Sequence, residues 1–233
     1  MQISAINKFS LIEFPWEIST IVFTPGCNFR CEYCHNSEFV LPEKLKNVLK
    51  NLIMEKAFFN FLEKRKWNLT WVSICGWEPT MQTDLKEFCR KVKSLWYKVK
   101  LDTNWRDPFI IKELLDEDLL DYVAMDIKYE IWNFSYIAWI KLEEKIYLET
   151  INILLNSTID YEFRTTVIKW IHNEEIIENI SKYISGAKNY YLQNYRSGNT
   201  LNQNFNWESF NQNELEKFSE ISNKYIKNVW IRN

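Results

Sequence analysis

Ser19-Thr20-Ile21-Val22-Phe23-Thr24-Pro25-Gly26-Cys27-Asn28-Phe29-Arg30-Cys31-Glu32-Tyr33-Cys34 is the stretch from which the fold is read. Thr20 to Phe23 are β-branched or aromatic, and Thr24 leads into Pro-Gly, so Ser19–Phe23 reads as a strand that ends abruptly. The strand opens straight into a C-x3-C-x2-C loop. Three thiolates on one tight loop suit a soft metal. A zinc ion asks for a fourth ligand, and His35 is adjacent, but neighbours in sequence rarely reach the same tetrahedral ion. A four-iron cluster on three protein thiolates leaves one iron open to substrate. Spacing favours iron–sulfur, and a structural zinc knot stays open. Cys75 and Cys89 lie far along the chain, and Cys89 falls on a helical pattern where a buried thiol is the common case.

Outward from this loop the same grammar repeats. Strands are predicted at Ser19–Phe23, Leu69–Cys75, Tyr97–Leu101, Tyr122–Ile127, Tyr161–Ile168 and Asn189–Gln193. Helices are predicted at Glu43–Lys64, Asp84–Leu95, Pro108–Leu119, Leu142–Asn156, Glu174–Ile184 and Asn213–Ile226. Strand then helix, six times over, means parallel strands joined by crossover helices. An open doubly wound sheet and an incomplete barrel both satisfy that pattern. Past the first strand, each of the others runs into, carries or ends in polar residues: Gly76-Trp77-Glu78-Pro79, Asp102-Thr103-Asn104, Asp126-Ile127-Lys128, Arg164-Thr165-Thr166 and Gln193-Asn194-Tyr195-Arg196. Ligands of parallel α/β proteins bind at the carboxyl ends of strands, so one shared site is expected.

The 233 residues are 46% hydrophobic and 26% charged, with no linker or low-complexity stretch, and read as one domain over 1–233. A net charge of −2 gives no footprint for nucleic acid. No apolar run reaches about 18 residues, so no membrane span is expected. The opening MQISAINKFSLIEF lacks the pattern of a secretory signal, and clustered cysteines fit a reducing compartment, so a cytoplasmic protein is expected.

One feature of composition is abnormal. Glycine occurs 4 times and tryptophan 11 times, whereas glycine alone usually makes up about 7% of residues. The tryptophans also stand where glycine belongs. Trp105 follows Asn104, and Trp67 and Trp96 each lie between a helical and a strand pattern, where a helix C′ glycine is favoured. The hypothesis is a gene that uses UGA for glycine. It expects most of Trp16, Trp67, Trp77, Trp96, Trp105, Trp139 and Trp170 outside regular elements, several with positive φ. Trp71 and Trp230, each next to a strand, are the weakest cases.

Gly26-Cys27-Asn28-Phe29-Arg30-Cys31-Glu32-Tyr33-Cys34-His35-Asn36 closely resembles the cluster loop of radical S-adenosylmethionine (SAM) enzymes, and more narrowly that of the glycyl-radical-enzyme activases. Lys8 to Trp16 resembles the activases' opening segment. Cys75 to Thr80 resembles their Gly-Gly-Glu-Pro motif, and Leu101 to Trp105 their Leu-Asp-Thr-Asn-Gly. The match extends over the whole chain and is best to the activating proteins of anaerobic ribonucleoside-triphosphate reductase. Where the family has glycine, this chain has Trp16, Trp77, Trp105 and Trp170.

The resemblance implies an incomplete (β/α)6 TIM-like barrel, the radical SAM core, and so decides between the two fold options. It implies that Cys27, Cys31 and Cys34 hold a [4Fe–4S] cluster. SAM would chelate the open iron, and electron transfer through the cluster would cleave it to a 5′-deoxyadenosyl radical. Tyr33 matches the aromatic position beside adenine; a ring there could equally just pack the loop. Gly76, Trp77, Glu78 and Pro79 match the segment that holds SAM's ammonium. A literal Trp77 ring would enter that pocket. Asp102, Thr103 and Asp126 match positions that in some activases hold a monovalent cation, with Asn104 beside them and Lys128 a neutralising or SAM-touching alternative. Arg164 could pair with a carboxylate, and Gln193 and Arg196 could line the rim. His35 resembles a position that orients the loop or contacts the partner, and His172 receives no chemistry. The radical would remove a hydrogen from a glycine of a larger partner enzyme, with flavodoxin or ferredoxin as electron donor. A small-molecule radical SAM enzyme, of the 7-carboxy-7-deazaguanine synthase kind, and a non-catalytic zinc-binding module are the alternatives.

Overall fold

The computed structural model describes residues 1–14, 17–133, 137 and 143–233. Its strands are β1 (Ala5–Ser10), β2 (Ser19–Thr24), β3 (Trp71–Gly76), β4 (Lys98–Thr103), β5 (Tyr122–Asp126), β6 (Asp160–Val167), β7 (Asn189–Asn194) and β8 (Asn228–Arg232). The described helices are α1 (Ser37–Val40), α2 (Pro42–Leu49), α3 (Glu55–Arg65), α4 (Leu85–Ser94), α5 (Pro108–Asp116), α6 (Glu144–Leu155), α7 (Glu174–Tyr183) and α8 (Gln212–Ser222). The strands form an eight-stranded sheet in chain order. β2, β3 and β4 pair in parallel, as do β6, β7 and β8. This is the α/β class expected of an incomplete barrel, and all six expected strands are present.

Two strands and one helix break come from pairings that no local pattern announces. β1 pairs antiparallel with β2, and β8 extends the parallel set beyond β7. The single helix expected over Glu43–Lys64 is two helices. Between them the Ile53 N–H donates to the Ile3 carbonyl at 2.8 Å, and Ile3 is fully buried. Burying an isoleucine is worth about 1.5–3 kcal/mol, more than the turn of exposed helix it interrupts.

Backbone contacts divide the chain into two compact units. The first is Met1–Asn28 with Glu38–Thr103 and Phe109–Val123; the second is Phe29–Ser37 with Asn104–Pro108 and Ala124–Asn233. In the first, α4 turns Leu85, Phe88, Cys89 and Val92 inward at helical spacing. The Phe88 ring meets those of Phe58 and Phe59. In the second, the core holds Tyr147, Tyr161, Phe163 and Tyr190.

The tryptophans divide into two kinds. Trp71 is a strand residue of β3, 7% exposed and stacked on Phe14 with ring centroids 3.7 Å apart. Trp67, Trp96, Trp105 and Trp170 instead have φ of 77°, 70°, 71° and 72°. All four, and Trp77, lie outside helices and strands, as the hypothesis expects. Trp230 lies in β8. Trp16 and Trp139 fall outside the described residues. An L-residue in the left-handed region costs roughly 1–2 kcal/mol, which glycine escapes.

Candidate functional site

In the first unit the carboxyl ends of β2, β3 and β4 are tied together. Gly76 makes this approach feasible. Its φ is +121°, and a Cβ there would stand 2.4 Å from both the backbone N and O of Thr24, its partner across the ladder. Two residues on, the Glu78 N–H donates to the Gly26 carbonyl at 3.2 Å, beside Cys27. The Glu78 side chain is fully buried. Its Oε1 accepts from the Thr80 N–H at 3.0 Å, the Thr80 hydroxyl at 2.6 Å and the Thr103 hydroxyl at 2.9 Å. Charge-assisted bonds of this kind are the strong ones, and a buried carboxylate needs them. Glu78 therefore braces three strand ends. Pro79 opens a short 3-10 turn, and Trp77 stacks on Phe39 with centroids 3.6 Å apart. Asp102 lies 3.3 Å from the Lys100 ammonium, itself buried and bonded to Glu13 at 2.6 Å.

In the second unit the carboxyl ends of β5 and β6 meet. Arg164 Nε donates to Asp126 Oδ1 at 2.8 Å, and Lys128 lies 3.3 Å from Asp126 Oδ2. Burial pushes the Asp126 carboxyl up, but Arg164 and then Lys128 outweigh it and hold it below its ordinary value. The Asn104 side chain accepts from the Arg106 N–H at 3.4 Å, and Gln193 lies on β7 opposite Thr166 and Arg232. His172 supports Lys128 from below. The Ile168 N–H donates to Nδ1 at 3.2 Å, so Nε2 carries the proton and donates to the Lys128 carbonyl at 3.2 Å.

His172 yields a prediction. Burial pushes its pKa down from 6.5 to about 4, against the two backbone bonds that raise it. The unfolded chain takes up the proton near 6.5 and the folded chain only near 4, so stability is complete above the higher value and falls as the pH drops between them. The expected loss is about 3 kcal/mol by pH 4. Denaturant midpoints measured from neutral pH to pH 4 should show it, and His172→Gln should flatten the slope. An unchanged slope in that variant would place the titration elsewhere.

The cysteine loop carries the metal question. Cys31 and Cys34 face a shared turn, the Cys34 N–H donating to the Cys31 carbonyl at 2.9 Å. None of the five cysteines is in a disulfide. Burial pushes the Cys31 thiol up to about 11, with the Lys128 charge pulling the other way. Among the described residues no three His, Cys, Asp or Glu side chains form a group that could hold an ion. A thiolate site assembles together with its metal, because metal binding is what releases the thiol protons. The donor type, the turn and the nearby cation fit a thiolate-held cluster. Cys89 is the buried structural thiol expected, pushed up to about 12 by burial.

A segment the sequence reading left out holds this loop in place. After β7, the Leu201 N–H donates to the Cys34 carbonyl and the Asn202 N–H to the Glu32 carbonyl, each at 2.8 Å. His35 stacks on Tyr195 and donates from Nε2 to the Arg196 carbonyl at 2.8 Å. Tyr33 is buried, with its ring edge toward Trp207. The loop's backbone is thus paired like a strand edge, which keeps its polar groups satisfied as it buries. Only Asn194-Tyr195-Arg196, at its start, stood out in the sequence.

The sequence pattern of the radical SAM superfamily matches residues 21–184. A protein of Methanocaldococcus jannaschii, provisionally named a glycyl-radical enzyme activating enzyme, is 32% identical, with 99% of this chain and 95% of its own covered. A second protein of that organism, named in the same way, is 29% identical over 89% of this chain and 78% of its own. A solved domain of pyruvate-formate lyase-activating enzyme from Bacteroides vulgatus superposes with a TM-score of 0.54 at 15% identity, covering 70% of this chain and 99% of that one. Streptococcus suis SuiB bound to S-adenosylmethionine superposes with a TM-score of 0.67 at 14% identity, covering 91% of this chain and 52% of SuiB. At such identities the superpositions show a shared fold. Among the described residues no helix is long and apolar enough to cross a membrane.

Proposed function

This chain belongs to the radical SAM superfamily, and on that premise we propose that it is an activase that places a glycyl radical on a larger partner, anaerobic ribonucleoside-triphosphate reductase. The observation that carries the activase reading is the end-to-end match to a relative provisionally named a glycyl-radical enzyme activating enzyme, 99% of this chain against 95% of that protein; the choice of reductase as partner rests on the resemblance of the sequence motifs. Superfamily membership implies a [4Fe–4S] cluster and SAM, which together supply a one-electron cleavage of the sulfonium and a carbon radical strong enough to take hydrogen from a glycine.

The chain's own residues bind, brace and shield. Cys27, Cys31 and Cys34 are proposed to hold three irons. Glu78 fixes the Gly76–Pro79 backbone against Gly26 and Thr103, so that segment meets SAM already ordered. Arg164 and Lys128 hold Asp126 ionised beside Cys31. The Tyr33–Trp207 contact closes the loop from water. The one-domain reading of residues 1–233, a cytoplasmic setting and a flavodoxin or ferredoxin donor belong to the same proposal.

The test is electron paramagnetic resonance on the partner. The activase, in the form its host makes and reconstituted anaerobically, is mixed with SAM, reductant and the reductase. A glycyl-radical signal on the reductase, absent without SAM, is the expected result. SAM cleavage with no signal there but a signal on another glycyl-radical enzyme would reassign the partner and keep the activase.

A further inference from the structure

We infer that residues 67, 96, 105 and 170 are glycine in the protein its host makes, with UGA decoded as glycine at those codons and not as tryptophan. Among the described residues five that are not glycine have positive φ, and four of them are tryptophan; the fifth is Asp118. Aspartate tolerates that region through its short polar side chain, but a bulky aromatic is a genuine outlier there. Chance placement of a rare aromatic does not produce such a coincidence.

Each position has the local geometry that glycine serves. Lys66 caps α3, so Trp67 is its C′ residue, and the next N–H, of Asn68, donates back to the Arg65 carbonyl at 2.9 Å. Leu95 caps α4, so Trp96 is its C′ residue, and its N–H donates to the Lys93 carbonyl at 2.9 Å. That bond from C′ to C2 is half of the glycine-terminated helix end. Trp105 follows Asn104 just past β4, and Trp170 sits in the turn closed by the Ile171 N–H on the Ile168 carbonyl. Gly186, with φ of +85°, takes the left-handed turn two residues past the Ile184 cap of α7.

The rings give a second, independent sign. Trp67 is 91% exposed, Trp96 85% and Trp170 75%. Tryptophan buries more surface than any other side chain when it is used for packing, and these three pack on almost nothing. Trp71 shows the contrast, with ordinary strand φ and a buried, stacked ring. At Trp105 the ring is buried between Phe29 and Tyr147, so the inference there rests on the backbone and the preceding asparagine. Neither the premises nor the readouts involve SAM or a radical, so this inference and the proposed function fail separately.

Peptides from the native host, mapped by mass spectrometry, should carry glycine at 67, 96, 105 and 170, and the codons there should be UGA. In protein made with the literal sequence, the triple variant Trp67→Gly, Trp96→Gly, Trp170→Gly should raise Tm by about 2–4 °C per site, because it removes left-handed strain without opening the core. Trp71→Gly, which empties a packed site, should lower it. A tryptophan mass at 67, 96, 105 or 170 in host protein, or a triple variant that melts lower than its parent, overturns the inference.

Discussion

Cys31→Ala will abolish cleavage of SAM, and Cys89→Ala will leave most of it. Both thiols are buried and both are pushed well above the ordinary cysteine range, so neither burial nor titration separates them. Their surroundings do. Cys31 lies on the loop gripped by Leu201 and Asn202, on a shared turn with Cys34 and within the field of Lys128. Cys89 sits on the inner face of α4 with Leu85, Phe88 and Val92, and burial outweighs the pull of the Lys93 charge on its thiol. Losing its sulfur leaves a small cavity worth about 1–2 kcal/mol, which lowers Tm without touching chemistry. Losing Cys31 leaves two thiols where three are needed, and the cluster should not assemble. Anaerobically reconstituted parent protein should bind about four irons and, with dithionite, release 5′-deoxyadenosine. Full activity in Cys31→Ala would falsify the cluster assignment.

Gly76→Ala should cost about 2–5 kcal/mol, from backbone strain and from overpacking together. That is a large share of a typical domain's total stability of 5–15 kcal/mol. The reason is what an added Cβ would strike. The nearest atoms are the backbone N and O of Thr24, both at 2.4 Å, and Thr24 is fully buried in β2, so neither can swing away. Relief would require β2 and β3 to part at the end where the Gly26–Glu78 bond is made. Metal loading and SAM cleavage should therefore fall with stability, and chemical denaturation should show an earlier midpoint. Gly26→Ala is the useful comparison. Gly26 has φ of +87° but nothing within 4 Å of an added Cβ, so it should show strain without the clash. Equal stability of Gly76→Ala and the parent would mean that β2 and β3 do not approach as described.

The sequence by itself determined what depends on local chemistry and on spacing along the chain. Six strands were legible because each is a short apolar run cut off by polar or turn-forming residues. Cys27, Cys31 and Cys34 stand out because a metal loop writes its ligand spacing into the chain, and they lie within the family match at residues 21–184. The misplaced tryptophans were legible because left-handed positions ask for glycine wherever they occur, and φ confirms the request at four of them. What only the tertiary structure decided is whatever depends on partners distant in sequence. β1, reading Ala-Ile-Asn-Lys-Phe-Ser, has no alternation of its own and is a strand because β2 offers it a ladder. The helix expected over Glu43–Lys64 breaks because Ile3 captures Ile53. Asp102 reads as a cation-holding carboxylate until Lys100 is seen to face it, and which carboxylate Arg164 takes is settled only when it meets Asp126 beside Lys128. The loop residues 201 and 202 carry no motif, since a backbone N–H that pairs with a distant carbonyl can belong to almost any side chain.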